Sequence, residues 1–351
     1  MNPARNQGLD RKRQKFSVFG PKMEVVMARK AIWAALAGLL AFTGAAVAQQ
    51  YPSRSIILVV PFAAGGPQDG VARIVTARMS EILGQSVVIE NIGGAGGMIG
   101  SDNVARAEPD GYRILLGTVG THAQGQTLHK KPLYNAATDF TPVALMAESP
   151  LALIVKKDLP VNNLKEFTAY AKENQAKMSF GSAGPGAATH LGCVVLNLAL
   201  GTNITHVPYR GTGPAMQDLI GGRIEILCSS VTTAKPQIEG GTVKGIAIMT
   251  KVRSPALPNL PTGLEQGVKD FEAYSWSAIF LPKGAPAPIV KKLNEAIVQA
   301  INTPSVRERL ESLGAEVVSN DRATPEYLAK FVKSEIEKWA GPIKASGVTV
   351  D

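Results

Sequence analysis

The chain has 351 residues, 45% of them apolar, with a formal net charge of +9. That length fills one large domain or two ordinary ones, while two cysteines and four histidines give structural zinc little support. Much of the charge belongs to the leader: positions 1–48 hold eight Lys or Arg against two acids, leaving 29 against 26 beyond them. With no basic run interleaved with aromatics there, nucleic acid is excluded as a partner.

Taken from the N-terminus, Arg29 and Lys30 precede "AIWAALAGLLAFTGAAVA", which ends in Ala46–Val47–Ala48. This pattern predicts residues 1–48 to be a leader with a secretory signal peptide, cleaved before Gln49. The run is short and rich in Ala and Gly for a bilayer span, which disfavours a membrane anchor. No cysteine near the cleavage site invites lipidation, and residues before Met27 or Met23 are superfluous to such a signal. Export places Cys193 and Cys228 in an oxidising compartment. Both lie in apolar runs, and two buried thiols are favoured over a disulfide.

Short β-branched runs then alternate with helical patterns: "SIILVV" before a helix over 71–83, "SVVIE" before one over 97–106, and "RILLG" at 113–117 before a Gly/Thr/His loop. The alternation predicts an α/β fold with a mostly parallel sheet. From about 143, "PVALMAESPLALIVKK" is long enough to leave one domain and enter another. A second α/β unit follows, with helices at 163–174, 187–200, 213–221 and 233–240 between the strands "MSFGS", "ITHVPY", "IEILCS" and "VKGIAIM". "FEAYSWSAIFLP" at 271–282 is the natural return path, with Trp276 as packing, and helices over 286–302, 304–313 and 325–345 close the chain. The expectation is two α/β domains, 49–148 with 277–351 and 149–276, joined by a two-strand hinge with a ligand cleft between them.

Enzymatic fingerprints fail when tested. "GGAGGMIG" at 93–100 puts Ile99 at the last glycine of a dinucleotide motif, and the next strand ends without an acid. No GxxxxGK[ST] occurs. "FGSAGPG" at 180–186 places Ala183 where a nucleophile elbow needs serine. An exported hydrolase using a Ser or His of the cleft is therefore the weaker alternative, and no cofactor or metal is implied.

What remains are Gly, Ser, Thr and Ala-rich loops at strand ends: 61–69, 118–122, 182–190 and 229–232. In an α/β sheet these surround the ligand crevice, and helix N-termini direct backbone N–H groups into it. Such a cleft suits a small carboxylate. Asp69, in a first turn, reads as a cap or a ligand contact. His190 and His122 read either as structural or as cleft-lining, His206 as a satisfied, partly buried side chain, and Arg210 as a cleft charge or a solvated turn.

The segments "YPSRSIILVVPFAAGGPQDGVAR", "GQSVVIENIGGAGGMIGSDNVARAEPDGYRILLG", "DFTPVALMAESPLALIV", "THVPYRGTGPAMQDLIGGRIEI" and "SPALPNLPTGLEQG" resemble the tripartite tricarboxylate transporter receptors, also called Bug proteins. The resemblance runs from about Tyr51 to Asp351. It implies a type II periplasmic-binding-protein fold, no catalysis, and capture of a small organic carboxylate by backbone amides, hydroxyls and water. Carried onto this chain it gives Phe62, Ala63, Ala64, Gly65, Gly66, Gln68 and Asp69 in one loop. The other loop contributes Ser182, Ala183, Gly184, Gly186, Ala187, Thr189 and His190. Thr121, His122, Tyr209 and Ser229 are weaker candidates. It also implies a monomer in the periplasm that serves permease subunits or a sensor kinase. The chain departs from the family pattern at Gln68, where Ser or Thr is common, and at Cys228–Ser230, where many relatives carry Phe-Asp-Asn. Loss of that acid favours an anionic ligand.

Overall fold

The computed structural model describes residues 51–269 and 272–350. The leader and its cleavage site lie outside the described residues, as does Phe271 of the expected return strand. No helix among the described residues is long and apolar enough to cross a membrane.

One sheet organises the chain. Its strands are β1 (Ile56–Val60), β2 (Val87–Asn91), β3 (Arg113–Thr118), β4 (Phe140–Lys156), β5 (Ser179–Ser182), β6 (Thr205–Pro208), β7 (Ile226–Ser230), β8 (Val243–Ile248), β9 (Tyr274–Pro282) and β10 (Glu316–Val317). The spatial order is β2-β1-β3-β9-β4-β7-β5-β6, with β8 and β10 also paired to β4. Strand β1 is parallel to β2 and β3, and β5 to β6 and β7. The sheet is mixed rather than mostly parallel, because β4 and β9 run antiparallel to every strand they pair with. A long strand that leaves one sheet region and one that returns must run in opposite senses, and strand periodicity does not carry that direction.

Strand β4 changes partners along its length. Phe140 to Pro150 pair with β9, whereas Leu151 to Lys156 pair with β7 and β8. At the change, Leu151 N–H donates to Ala273 O, Ala273 N–H to Met249 O, and Met249 N–H to Leu151 O. The sheet therefore has two regions, one built from both ends of the chain and one from its middle, sharing β4.

Helices cover these regions: α1 (Pro67–Leu83), α2 (Met98–Ala105), α3 (Gly125–Leu128), α4 (Leu164–Asn174), α5 (Ala188–Leu200), α6 (Thr212–Ile220), α7 (Val231–Glu239), α8 (Ala287–Asn302), α9 (Pro304–Ser312) and α10 (Pro325–Ser346). In α1 the buried Val71, Ile74, Val75, Met79 and Leu83 recur at helical spacing while Arg73 faces water. Pro67 at its first turn costs no hydrogen bond, and Gly84, at φ 66°, ends it. Each such buried side chain contributes about 1.5–3 kcal/mol relative to exposure.

Cys193 on α5 and Cys228 on β7 form a disulfide, with Cα atoms 5.5 Å apart. The expectation of two separate buried thiols is thereby corrected. Helix α5 packs its buried face on β7, so burial and pairing come from the same contact and composition cannot separate them. Trp276 is buried against α10, where its indole N–H and the Tyr274 hydroxyl donate to the two carboxylate oxygens of Glu335.

Candidate functional site

The loop after β1 runs from Pro61 to Gly66 and opens α1. No side chain caps Gly66, so the N–H groups of Gln68 and Asp69 have no intrahelical partner. Asp69 points back into its own loop. It accepts from Arg73 at 2.9 and 3.0 Å, from Gly65 N–H at 3.2 Å and from Asn91 at 3.2 Å. Burial acts to raise its pKa, but these hydrogen bonds outweigh it and hold the carboxyl below its ordinary value. Asn91 also donates to Phe62 O. Asp69 therefore braces the loop.

The loop after β5 opens α5, again with no side-chain cap, at Ala187. Its support is neutral. Thr189 Oγ1 accepts from Ala183 N–H at 2.8 Å, Ser182 Oγ from Gly184 N–H at 3.0 Å, and His190 Nδ1 from Gly186 N–H at 3.3 Å. Ser182 Oγ also shares a 2.6 Å hydrogen bond with His206 Nε2. The rings of His190 and His206 stack at 4.0 Å, with Phe180 beside both. Burial lowers His190 to about 3, helped by the neighbouring His206, and lowers His206 to about 4. Both rings are neutral at physiological pH.

The two loops meet. Phe62 packs with Ala183 and Ala187 in one buried apolar cluster, and Ala63 N–H donates to Arg210 O at 3.1 Å. Backbones approach so closely that a Cβ on Gly96, itself at φ +64°, would lie 1.9 Å from Pro185 O. On one side of this contact Ala64 to Gly70, except Gln68, face the starts of α6 and α7 across a cleft of ≈520 Å³, with Gly213, Pro214, Thr232 and Thr233 opposite. Neither of those helix starts carries a side-chain cap. On the other side Gly93 to Ala95 face Gly184, Pro185, Tyr209 and Arg210 across a cleft of ≈830 Å³.

Thus Phe62 to Gly66, Ala183, Gly184 and Ala187 come together, while Ser182, Gly186, Thr189 and His190 support them from behind. Thr121 is fully buried, bonded to Thr118 N–H and to His122 Nδ1. His122 stacks at 4.0 Å on Phe280 beneath the cleft rather than lining it, and burial lowers its pKa to about 3. It lies in a π-helical turn, Gly120–Gln124, that strand-helix periodicity does not signal. Tyr209 directs its hydroxyl to Asp218 at 2.8 Å. Ser229 does not line the cleft but is buried behind it, bonded at 2.7 Å to Thr233, which does, and its neighbour Ser230 shares a small cavity with Gln68. The sequence reading missed Gly213 and Thr233 as cleft residues, although "GTGPA" carries the same glycine-before-helix signal as the first loop. Among the described residues no group of three His, Cys, Asp or Glu could hold a metal ion.

Solved structures share this architecture. A periplasmic binding protein, BugD, is 44% identical, covers 85% of this chain and 99% of its own, and superposes with a TM-score of 0.83. MatC from Rhodopseudomonas palustris, solved with bound malate, is 40% identical over 84% of this chain and 100% of its own, with a TM-score of 0.81. A third, an R. palustris protein with adipate, is 35% identical over 85% and 99%, with a TM-score of 0.81. The fold is that of the periplasmic binding proteins, of which BugD is named as one. The sequence profile described as "Tripartite tricarboxylate transporter family receptor" matches residues 71–348, and the chain belongs to that family.

Proposed function

We propose that this chain is an exported, periplasmic receptor. It captures a small organic carboxylate between its two sheet regions and hands it to the membrane permease of a tripartite tricarboxylate-type transporter. Residues 49–148 with 277–351 form one closing domain and 149–276 the other, with the β4 crossing and the Leu151–Ala273 junction as the hinge. The observation that carries the reading is the meeting of uncapped helix starts across the ≈520 Å³ cleft, α1 from one region and α6 and α7 from the other. Helix N-termini favour an anion. Donors from both regions reach one anion only when the regions are together, so the ligand binds the closed state more tightly and drives closure. The malate and adipate held by two relatives are carboxylates of the expected size.

A thermal-shift screen over small mono-, di- and tricarboxylates tests this. A ligand that binds only the folded state raises stability by about 2.7 kcal/mol at one hundred times its Kd, and at least one acid should raise the melting temperature by several degrees. Gly213→Ala sharpens the test. Gly213 is the second residue of α6, and an alanine Cβ there would lie 2.7 Å from the backbone oxygen of Ala64, an overlap that the two regions must part to relieve. The variant should keep a single cooperative unfolding transition yet bind the acid at least tenfold more weakly. If no acid shifts the transition, the carboxylate reading fails.

A further inference from the structure

Pro67 and Thr232, which wall the ≈520 Å³ cleft, also wall a second, much smaller cavity of ≈10 Å³. That space is about one water-sized probe, enough for a single oxygen. Its polar lining is Gln68, Ser149, Ser230, Thr232, Ser275 and Ser277, and each of these side chains is at least nine-tenths buried. They arrive from α1, β4, β7, α7 and β9, so the cavity sits where the first loop meets the β4 crossing. Ser149 donates to Gly314 O at 2.8 Å, and the Ser230 and Thr232 hydroxyls bond each other at 2.8 Å. The Ser275 hydroxyl oxygen is buried without a hydrogen-bond partner. Glu148 also borders the cavity, with its charge held by two hydrogen bonds from Arg322 at 2.9 and 2.8 Å.

We propose that this cavity is a hydroxyl-selecting subsite, which takes one neutral hydroxyl of the carboxylate bound in the adjoining cleft, with Ser275 and the Gln68 amide as its partners. The inference rests on the carboxylate reading and names the subclass of acid. Three features argue for it. The space admits one oxygen and not a carboxylate. The lining is uncharged apart from an acid already paired, so a second negative charge gains nothing there. A buried hydroxyl left unpaired is costly, and a ligand oxygen that pairs it gains what an unsubstituted acid cannot.

The test compares acids that differ by one hydroxyl: malate with succinate, citrate with propane-1,2,3-tricarboxylate, and lactate with propionate. Calorimetry on the folded chain should give at least one pair in which the hydroxy acid binds tenfold or more tightly. Ser275→Ala should bring that ratio to within about twofold of one. Gln68→Leu, in the first turn of α1, is the second variant should Ser275→Ala fold poorly, and it should reduce the ratio likewise. Equal affinities within every pair, or a preference untouched by both variants, overturns the subsite while leaving the carboxylate reading intact. Failure of every acid to bind overturns both.

Discussion

The two loops that meet at the cleft hold the same kind of backbone by opposite chemistry. At 61–69 the brace is ionic, an acid gripped by Arg73, Asn91 and the Gly65 N–H. At 182–190 it is neutral, a chain of hydroxyls and imidazoles on a helix that the Cys193–Cys228 bond ties to the sheet. Both arrangements open a helix with no side-chain cap. Away from the cleft, α4 and α10 are capped by Asn163 and Thr324, whereas α8 and α9 open without a side-chain cap but with a proline in the first turn. What the two cleft loops teach is that side chains other than a cap can fix the loop before a helix start and leave its N–H groups open to a ligand. Two fixings of different chemistry should then fail under different conditions.

The crosslink should show the largest effect. It closes a sequence separation of 35 residues, for which chain-entropy arguments give about 3–4 kcal/mol. Reduction, or Cys193→Ser with Cys228→Ser, should lower the denaturant midpoint accordingly and loosen the second loop while leaving the first intact. Hydrogen exchange at 183–190 against 62–69 measures that asymmetry. Equal loosening of both loops would mean that α5 is not the second loop's particular support.

Protonation comes next. His190 has a native pKa depressed to about 3, against an ordinary value near 6.5, so the unfolded chain binds the proton first. Its contribution is fully present above about 6.5 and is lost as pH falls below that. At pH 5 the loss is ~2 kcal/mol from this ring alone. Between pH 7 and 5 the parent should lose more stability than His190→Gln by about that amount, measured by urea unfolding. Parallel pH profiles would show that the ring is not held neutral.

Much of this was legible in sequence. Val71, Ile74, Val75 and Met79 announce α1 because they recur at the 3.6-residue period of one helix face, and the glycine-rich corners mark both loops. The shape of the site was not. Period-two alternation says that Ser229 and Ser230 face opposite ways but not which of them faces α1. Gly213 becomes a cleft residue only because the first loop lies against α6, a contact between positions about 150 apart in the chain. Cys193 and Cys228 look like core because their pairing is also core.

The smallest effect separates the two loops most cleanly. The Asp69 carboxyl is held below its ordinary value of 3.8, so its stabilisation is complete above about pH 4 and is lost as pH falls through the depressed native value. Asp69→Asn should therefore cost a constant amount at neutral pH that shrinks as pH falls below 3.8. The amount is ~1 kcal/mol, because Arg73 is 58% exposed and water screens the pair. Between pH 4.5 and 6.5 Asp69 stays ionised while the unfolded-state histidines titrate, so parent and Asp69→Asn should lose stability along parallel lines there. A changed slope in that window would mean that the ionic and neutral braces are coupled through the closed contact of Phe62 with Ala183 and Ala187, and that the loops do not fail independently.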